Sequence, residues 1–277
     1  MIVPGAASQA VAVALARELD EPLAEVEYDR FADGERLVRV RGSADRAVVV
    51  AATTSDRAHL ELLQLQDAAG QRAEEVLTVL PYMGYARQDE AFTAGEPVSA
   101  RAVARAISTG TDRVLTVNPH EPTACEFFDV PCRAVDAAAR LAEPLSDLSD
   151  PLFLSPDAGA VELAETVRDA HGAGEADYFE KRRLSDTTVE ITPRDAATAG
   201  RDVVLVDDIV ATGSTMSTAI EQLDDPGRVV VACVHPMLAD GARTRLATAG
   251  VDAVYGTDTV ERAVSEVSVA PAIADAL

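Results

Sequence analysis

The chain has 277 residues and a net charge of −23 at neutral pH, long enough for one large or two ordinary α/β domains, each able to bury a core of its own. Of its 24 basic residues Lys181 is the sole lysine, and so acidic a surface excludes nucleic acid and anionic membranes as partners, since both need a basic patch. Excess Asp and Glu with almost no lysine fits a protein dissolved in concentrated salt, where the screening length falls to about 3 Å; a GC-rich coding bias toward arginine would leave the same mark.

Cys125, Cys132 and Cys233 read as too few and too scattered for a disulfide framework, and they lack metal-site spacing. A reducing interior is the natural expectation. The stretch from Met1 to Asp20 is mildly apolar but has no basic leader segment, and no run is long enough to span a bilayer. The expectation is a soluble, cytoplasmic protein without membrane contact.

In chain order, Asp33-Gly34 marks a turn within Phe31 to Glu35, a weak signal by itself. Arg36, Arg39 and Arg41 alternate along a strand-like stretch, as on a solvated face or a subunit contact. A strand is predicted over 47–52, a helix over 59–69 and a strand over 75–80. The segment from Pro81 to Glu90 follows, in which Arg87 offers a bidentate fork for a phosphate and Gln88 can donate and accept beside it. Taken alone, Arg87 serves equally as a surface ion-pair partner. A helix over 99–108 and a strand over 113–117 lead to Asn118, Pro119 and His120, a strand-end histidine of the kind that is more often structural than a ligand.

The composition shifts over 137–150, which reads as a linker dividing the chain into domains 1–140 and 141–277. Beyond it a strand over 152–155 runs to Asp157 and Gly159, where the small residue permits a sharp turn, and a helix is predicted over 158–171. Lys181, Arg182 and Arg183 concentrate positive charge in an acidic chain. Lysine is avoided everywhere else, so a compact ammonium is needed here. The strongest local signal comes next: a strand over 202–206 ends in Asp207 and Asp208, and Ala211, Thr212, Gly213, Ser214 and Thr215 open a helix. Small residues let backbone amides approach phosphate oxygens at a helix start, and paired carboxylates suit ribose hydroxyls or hydrated magnesium. A simple N-cap would need neither the acids nor the whole turn. Helix 215–223 and strand 228–234 follow; strands alternating with helices imply βαβ units and a mainly parallel sheet. His59, His171 and His235 have no partner recognisable from spacing.

The stretch 203–215 resembles the ribose-phosphate loop shared by type I phosphoribosyltransferases and ribose-phosphate diphosphokinases. Four further segments resemble the diphosphokinase family alone, in an archaeal-like form: Phe31 to Glu35, Pro81 to Glu90 with Gly95 to Arg101, Asn118 to Pro131, and Ser155 to Gly159 with the Lys181 cluster beyond it. The resemblance implies an α/β fold of two tandem type I phosphoribosyltransferase-like domains with mainly parallel sheets, the extreme C-terminus returning to the first. It implies transfer of the diphosphoryl group of Mg-ATP to ribose 5-phosphate, with Mg2+ as the cofactor. ATP would be held by Phe31, Asp33, Gly34, Glu35, Arg87, Gln88 and His120, and magnesium by His120 and Asp157. Ribose 5-phosphate would be held by Arg183, Asp207, Asp208, Ala211, Thr212, Gly213, Ser214 and Thr215. Lys181 and Arg183 would be catalytic, on a loop closing over the transferring group. In the family the Phe31 loop reaches the ATP of a neighbouring subunit, which implies a homo-oligomer. The chain departs from the family pattern with Asn118 where Asp is usual, Ala160 where a second Gly is common, and Ala211 where many relatives carry Asp. The departure at Asn118 leaves a non-catalytic regulatory relative as one alternative, and a type I phosphoribosyltransferase is the other.

Overall fold

A computed structural model of the chain describes residues 1–183, 189–193 and 196–277, and within 181–192 it describes only strand backbone. It divides into two compact units: 1–136 with 258–261 and 268–277, and 137–257 with 262–267.

The first unit is built on β1 (Ile2–Pro4), α1 (Gln9–Glu18), β2 (Glu25–Arg30), β3 (Arg36–Arg41), β4 (Arg46–Val50), α2 (Asp56–Gly70), β5 (Glu75–Leu80), α3 (Ser99–Ser108), β6 (Arg113–Val117) and β7 (Cys132–Val135). Five of these strands form a parallel sheet in the order β1-β4-β5-β6-β7. Ala47 to Val50 are buried without alternation, as expected of a parallel strand covered on both faces. β2 and β3 make a separate antiparallel hairpin. Its Val38 and Val40 reach the core beside Leu62 and Leu65 of α2, while Arg36 pairs with Glu61 at 3.1 Å.

The second unit holds β8 (Leu152–Ser155), α4 (Val161–His171), β9 (Glu175–Arg183), β10 (Val189–Pro193), β11 (Asp202–Ile209), α5 (Ser214–Ile220), β12 (Arg228–His235), α6 (Ala242–Thr248), β13 (Ala253–Thr257) and β14 (Ser265–Val267). Its seven-stranded sheet runs β10-β9-β8-β11-β12-β13-β14 and is parallel except for the β9–β10 pair. The segment expected to be a linker is ordered. A 3-10 helix over Ala138–Leu145 buries Ala138, Leu141, Ala142 and Leu145 and packs on α4. Its apolar residues recur at helical spacing, which outweighs Pro144. The last helix, α7 (Ala270–Ala274), packs on α1 in the first unit, tied by Asp258, whose carboxylate accepts from Ser268 Oγ at 2.7 Å and Val269 N at 2.8 Å.

Two of the three cysteines are not isolated as expected: Cys125 and Cys132 form a disulfide pair with Cα atoms 5.3 Å apart. A 3-10 helix over Pro122–Phe127 folds the chain back so that the start of β7 meets Cys125. Cys233 is free and buried. Among the described residues no helix is long and apolar enough to cross a membrane.

Candidate functional site

In the second unit β11 lies between β8 and β12, with Val203 to Val206 fully buried. Asp207 and Asp208 emerge at its C-terminal end, the edge of an open parallel sheet where ligands gather. Each carboxylate accepts from the next backbone amide, Asp207 Oδ1 from Asp208 N at 3.0 Å and Asp208 Oδ1 from Ile209 N at 2.8 Å. Burial first, then the charge of Asp208 and, among smaller effects, that of Asp157, pushes the Asp207 carboxyl up to about 8. The structure thus brings Asp157 and Asp207 to one place, across adjacent parallel strands whose Leu154 and Leu205 are in register. Asp157 also starts a short 3-10 turn, its carboxylate accepting from Gly159 N at 2.9 Å.

The turn after β11 does more than cap a helix. Gly213 takes the N-cap position of α5 at φ 74, and no side chain caps the helix, so the first-turn amides have no intrahelical partner. Thr212, Ser214 and Thr215 are exposed, with Thr212 Oγ1 and Ser214 Oγ 3.0 Å apart. Arg245 donates to the Thr212 carbonyl. Gly213 is backed by Leu246 and the Ala242 carbonyl, and its left-handed φ is one that glycine adopts without penalty. Ala211 lies half-buried in the same turn.

Lys181 and Arg183 lie in strand backbone rather than in a loop, paired with Ile191 and Val189 across the antiparallel β9–β10 ribbon. Their side chains, and the connection over 184–188, lie outside the described residues. Because β9 is parallel to β8 with Tyr178 opposite Ser155, Lys181 continues past the strand end on the edge that carries Asp157 and Asp207. Three residues at the strand rise put it roughly 10 Å beyond that register.

In the first unit the candidate residues also lie beyond strand ends. Phe31 to Glu35 forms the tip of the β2–β3 hairpin, closed by Phe31 N to Glu35 O at 2.8 Å and Gly34 N to Phe31 O at 2.9 Å. Asp33 Oδ1 accepts from Glu35 N at 3.1 Å, so this carboxylate shapes the turn. Phe31 is 53% exposed. After β5 the segment 81–90 buries Tyr82, Met83 and Ala86 and exposes Arg87. Gln88 is anchored at the start of α3, where Ser99 Oγ donates to its side-chain oxygen and Ala100 N to its carbonyl at 3.1 Å.

His120, past the end of neighbouring β6, is exposed. Asn118, at φ 35, donates from Nδ2 to Asp136 Oδ1 at 2.7 Å, bracing the adjoining ends of β6 and β7. Asparagine tolerates the left-handed region better than most residues, which gives the departure at this position a structural use. Spacing had shown no partner for the three other histidines. The ring of His59 contacts that of Tyr85. The ring nitrogens of His171 lie 3.1 Å from the carbonyls of Ala173 and Leu145. His235 is buried.

The chain matches the model of the N-terminal domain of ribose phosphate pyrophosphokinase over residues 1–110 and that of the phosphoribosyl transferase domain over 132–270. It is 64% identical to a ribose-phosphate pyrophosphokinase of Halobacterium salinarum, with all of both chains covered. The chain belongs to the ribose-phosphate pyrophosphokinase family. The family's counterpart in Methanopyrus kandleri is 45% identical, with 95% of this chain and 93% of that protein covered. A crystal structure of phosphoribosylpyrophosphate synthetase from Mycobacterium smegmatis matches with a TM-score of 0.83 at 29% identity, over 100% of this chain and 96% of that one. The two units are thus tandem phosphoribosyltransferase-type α/β domains of this family, as the sequence resemblance implied.

Among the described residues no group of three or more His, Cys, Asp or Glu is arranged to hold a metal ion unaided. Magnesium keeps most of its waters and is bound through one or two carboxylates plus substrate phosphates. The crowded carboxylates around Asp207 are a donor set that a divalent cation would relieve.

Proposed function

We propose that this chain transfers the β,γ-diphosphoryl group of Mg-ATP to the C1 hydroxyl of ribose 5-phosphate, giving 5-phosphoribosyl 1-diphosphate and AMP. The C1 oxygen attacks the β-phosphorus, the bond between that phosphorus and the α–β bridging oxygen breaks, and AMP leaves with that oxygen while the hydroxyl proton is released. Little covalent work falls to the protein in such a transfer, so positioning and charge neutralisation dominate.

The observation that carries this reading is one sheet edge in the second unit. It combines the Asp157, Asp207 and Asp208 carboxylates, an uncapped Thr212-Gly213-Ser214-Thr215 turn, and a ribbon bearing Lys181 and Arg183. The turn from Ala211 to Thr215 binds the 5-phosphate through backbone amides and hydroxyls, and Asp207 and Asp208 orient the ribose hydroxyls. Lys181 and Arg183 meet the charge that grows on the transferring group. Arg87 and Gln88 hold ATP phosphates, and Phe31, Asp33, Gly34 and Glu35 receive the adenine of a neighbouring subunit in a homo-oligomer. The exposed ring of Phe31 supports that last assignment. His120 and Asp157 would each offer a ligand to Mg2+, which when bound would supply neutralisation of phosphate charge. A cytoplasmic, salt-rich setting suits both the substrates and the acidic surface.

The test is incubation of the purified full chain with Mg-ATP and ribose 5-phosphate from low to molar salt, with AMP measured. Stoichiometric AMP and 5-phosphoribosyl 1-diphosphate are expected. No AMP at any salt favours a non-catalytic relative, and consumption of the diphosphate with a nucleobase but no ATP favours a phosphoribosyltransferase.

A further inference from the structure

The chain just before Arg87 adopts a conformation that needs holding. Tyr85 has φ 65, in the left-handed region where a bulky side chain is strained. Two contacts hold it, both from the first turn of α2. The hydroxyl of Tyr85 donates to Asp56 Oδ1, and its ring lies against that of His59, centroids 5.4 Å apart at 46°. Asp56 is itself fixed at the helix start, where Ser55 Oγ caps Ala58 N at 3.3 Å.

The floor under this corner is equally specific. Gly84 N donates to Thr53 Oγ1 at 2.8 Å, and Thr53 N donates to Tyr82 O at 2.9 Å. A Cβ on Gly84 would collide with the Thr53 carbonyl and come within 3.0 Å of His59 Nε2. That nitrogen is buried without a hydrogen-bond partner among the described residues, so His59 serves here as a packed ring. Burial lowers its pKa, with Asp56 opposing, and a neutral ring is what such packing needs. Tyr85 O then accepts from Gln88 N at 3.1 Å, closing a turn that buries Ala86 and turns Arg87 outward.

We infer that Asp56, His59 and Tyr85 are a positioning unit that sets the direction of Arg87 for nucleotide binding. The inference rests on the proposed role of Arg87 toward ATP. The three residues act through the backbone of 85–88 and are not catalytic. Without the tether, the left-handed corner relaxes and Arg87 spends less of its time facing the phosphate.

The experiment pairs steady-state AMP formation with calorimetric binding of a non-hydrolysable ATP analogue, on the full chain with Mg2+. Tyr85→Phe and Asp56→Ala should each raise the KM for ATP and the analogue Kd about five- to tenfold, as expected for the loss of one solvent-exposed hydrogen bond. Turnover and the KM for ribose 5-phosphate should stay within about twofold. The double variant should be no worse than either single, because both remove one interaction. Asp56→Asn keeps an acceptor and should lie near wild type. Tyr85→Gly relieves the left-handed strain while deleting ring and hydroxyl, so its Tm should hold or rise while its KM for ATP rises. A purely structural role predicts that the KM for ATP follows Tm instead. An unchanged analogue Kd in both single variants overturns the inference, as does Asp56→Asn matching Asp56→Ala. Arg87→Ala run alongside separates the two levels. If it too leaves ATP binding unchanged, the ATP assignment of this segment fails and the inference with it; if it weakens binding while Tyr85→Phe does not, only the positioning unit falls.

Discussion

Asp207 carries a proton at a pH where an ordinary carboxylate has lost it, because burial disfavours its charged form more than any other influence on it. With a folded value of about 8 against about 4 in the unfolded chain, the folded state binds more protons between those limits. Stability therefore falls as pH rises across that window. Without ligand or divalent cation, the Tm should decline from about pH 5 to about pH 8, and Asp207→Asn should flatten the decline and raise the Tm near the upper end by a few degrees. Thermal melts at several pH values check this. Since burial is the leading cause, the slope should survive molar salt, whereas a slope due mainly to the neighbouring carboxylates would shrink with screening. The same variant should lose sugar-phosphate turnover, so stability and activity would move in opposite directions.

How far such residues could be read from the chain varies with the range of the interaction. Asp207 beside Asp208 at the end of an apolar run was legible, because adjacency in sequence is adjacency in space at a strand end. That Asp157 lies near enough to act on Asp207 was not, since this needs β8 to lie beside β11. The Asn118–Asp136 brace and the His59–Tyr85 contact were hidden for the same reason. Each joins residues brought together only by neighbouring parallel strands or by a helix packed on its sheet.

Among the elements, the buried parallel strands were the most legible. β5, β6 and β8 occupy the spans their apolar runs predict, because a strand covered on both faces must be apolar throughout. β2 reads Glu-Val-Glu-Tyr-Asp-Arg and has no buried position, so it went unread, and only the Asp33-Gly34 turn and the strand-like stretch of Arg36, Arg39 and Arg41 after it were visible. The β9–β10 ribbon was missed similarly. Lys181, Arg182 and Arg183 look like a charged loop, yet their backbone pairs with 189–191. Backbone pairing holds Lys181 in a strand, which leaves less chain entropy to be lost on binding than a free loop would. Lys181→Ala should therefore lower turnover by about two orders of magnitude or more, with the Tm and the KM for ribose 5-phosphate nearly unchanged. Lys181→Arg should recover only part of the loss, because the guanidinium is larger and planar. Full activity in Lys181→Ala would remove this ribbon from the chemistry.

At the scale of the whole molecule, the net charge of −23 opposes compaction wherever it is poorly screened. Many ion pairs among the described residues lie on the surface, as Arg41–Glu27 and Arg168–Asp169 do, and isolated surface pairs contribute roughly 0–1 kcal/mol each. Salt acts on these two contributions with opposite signs. It weakens attractive surface pairs and relieves repulsion among the excess carboxylates, while excluded ions also strengthen apolar burial. With so large an imbalance, relief of repulsion should win. The Tm is expected to rise by about 10 °C or more between roughly 0.1 M and 3 M KCl, as the screening length falls from about 10 Å to about 2 Å, with AMP formation rising alongside. This result bears on the acidic excess rather than on the missing lysines, because a coding bias that exchanges Lys for Arg keeps the charge constant. A Tm that is flat or falls with KCl would mean that repulsion among the excess carboxylates does not limit stability.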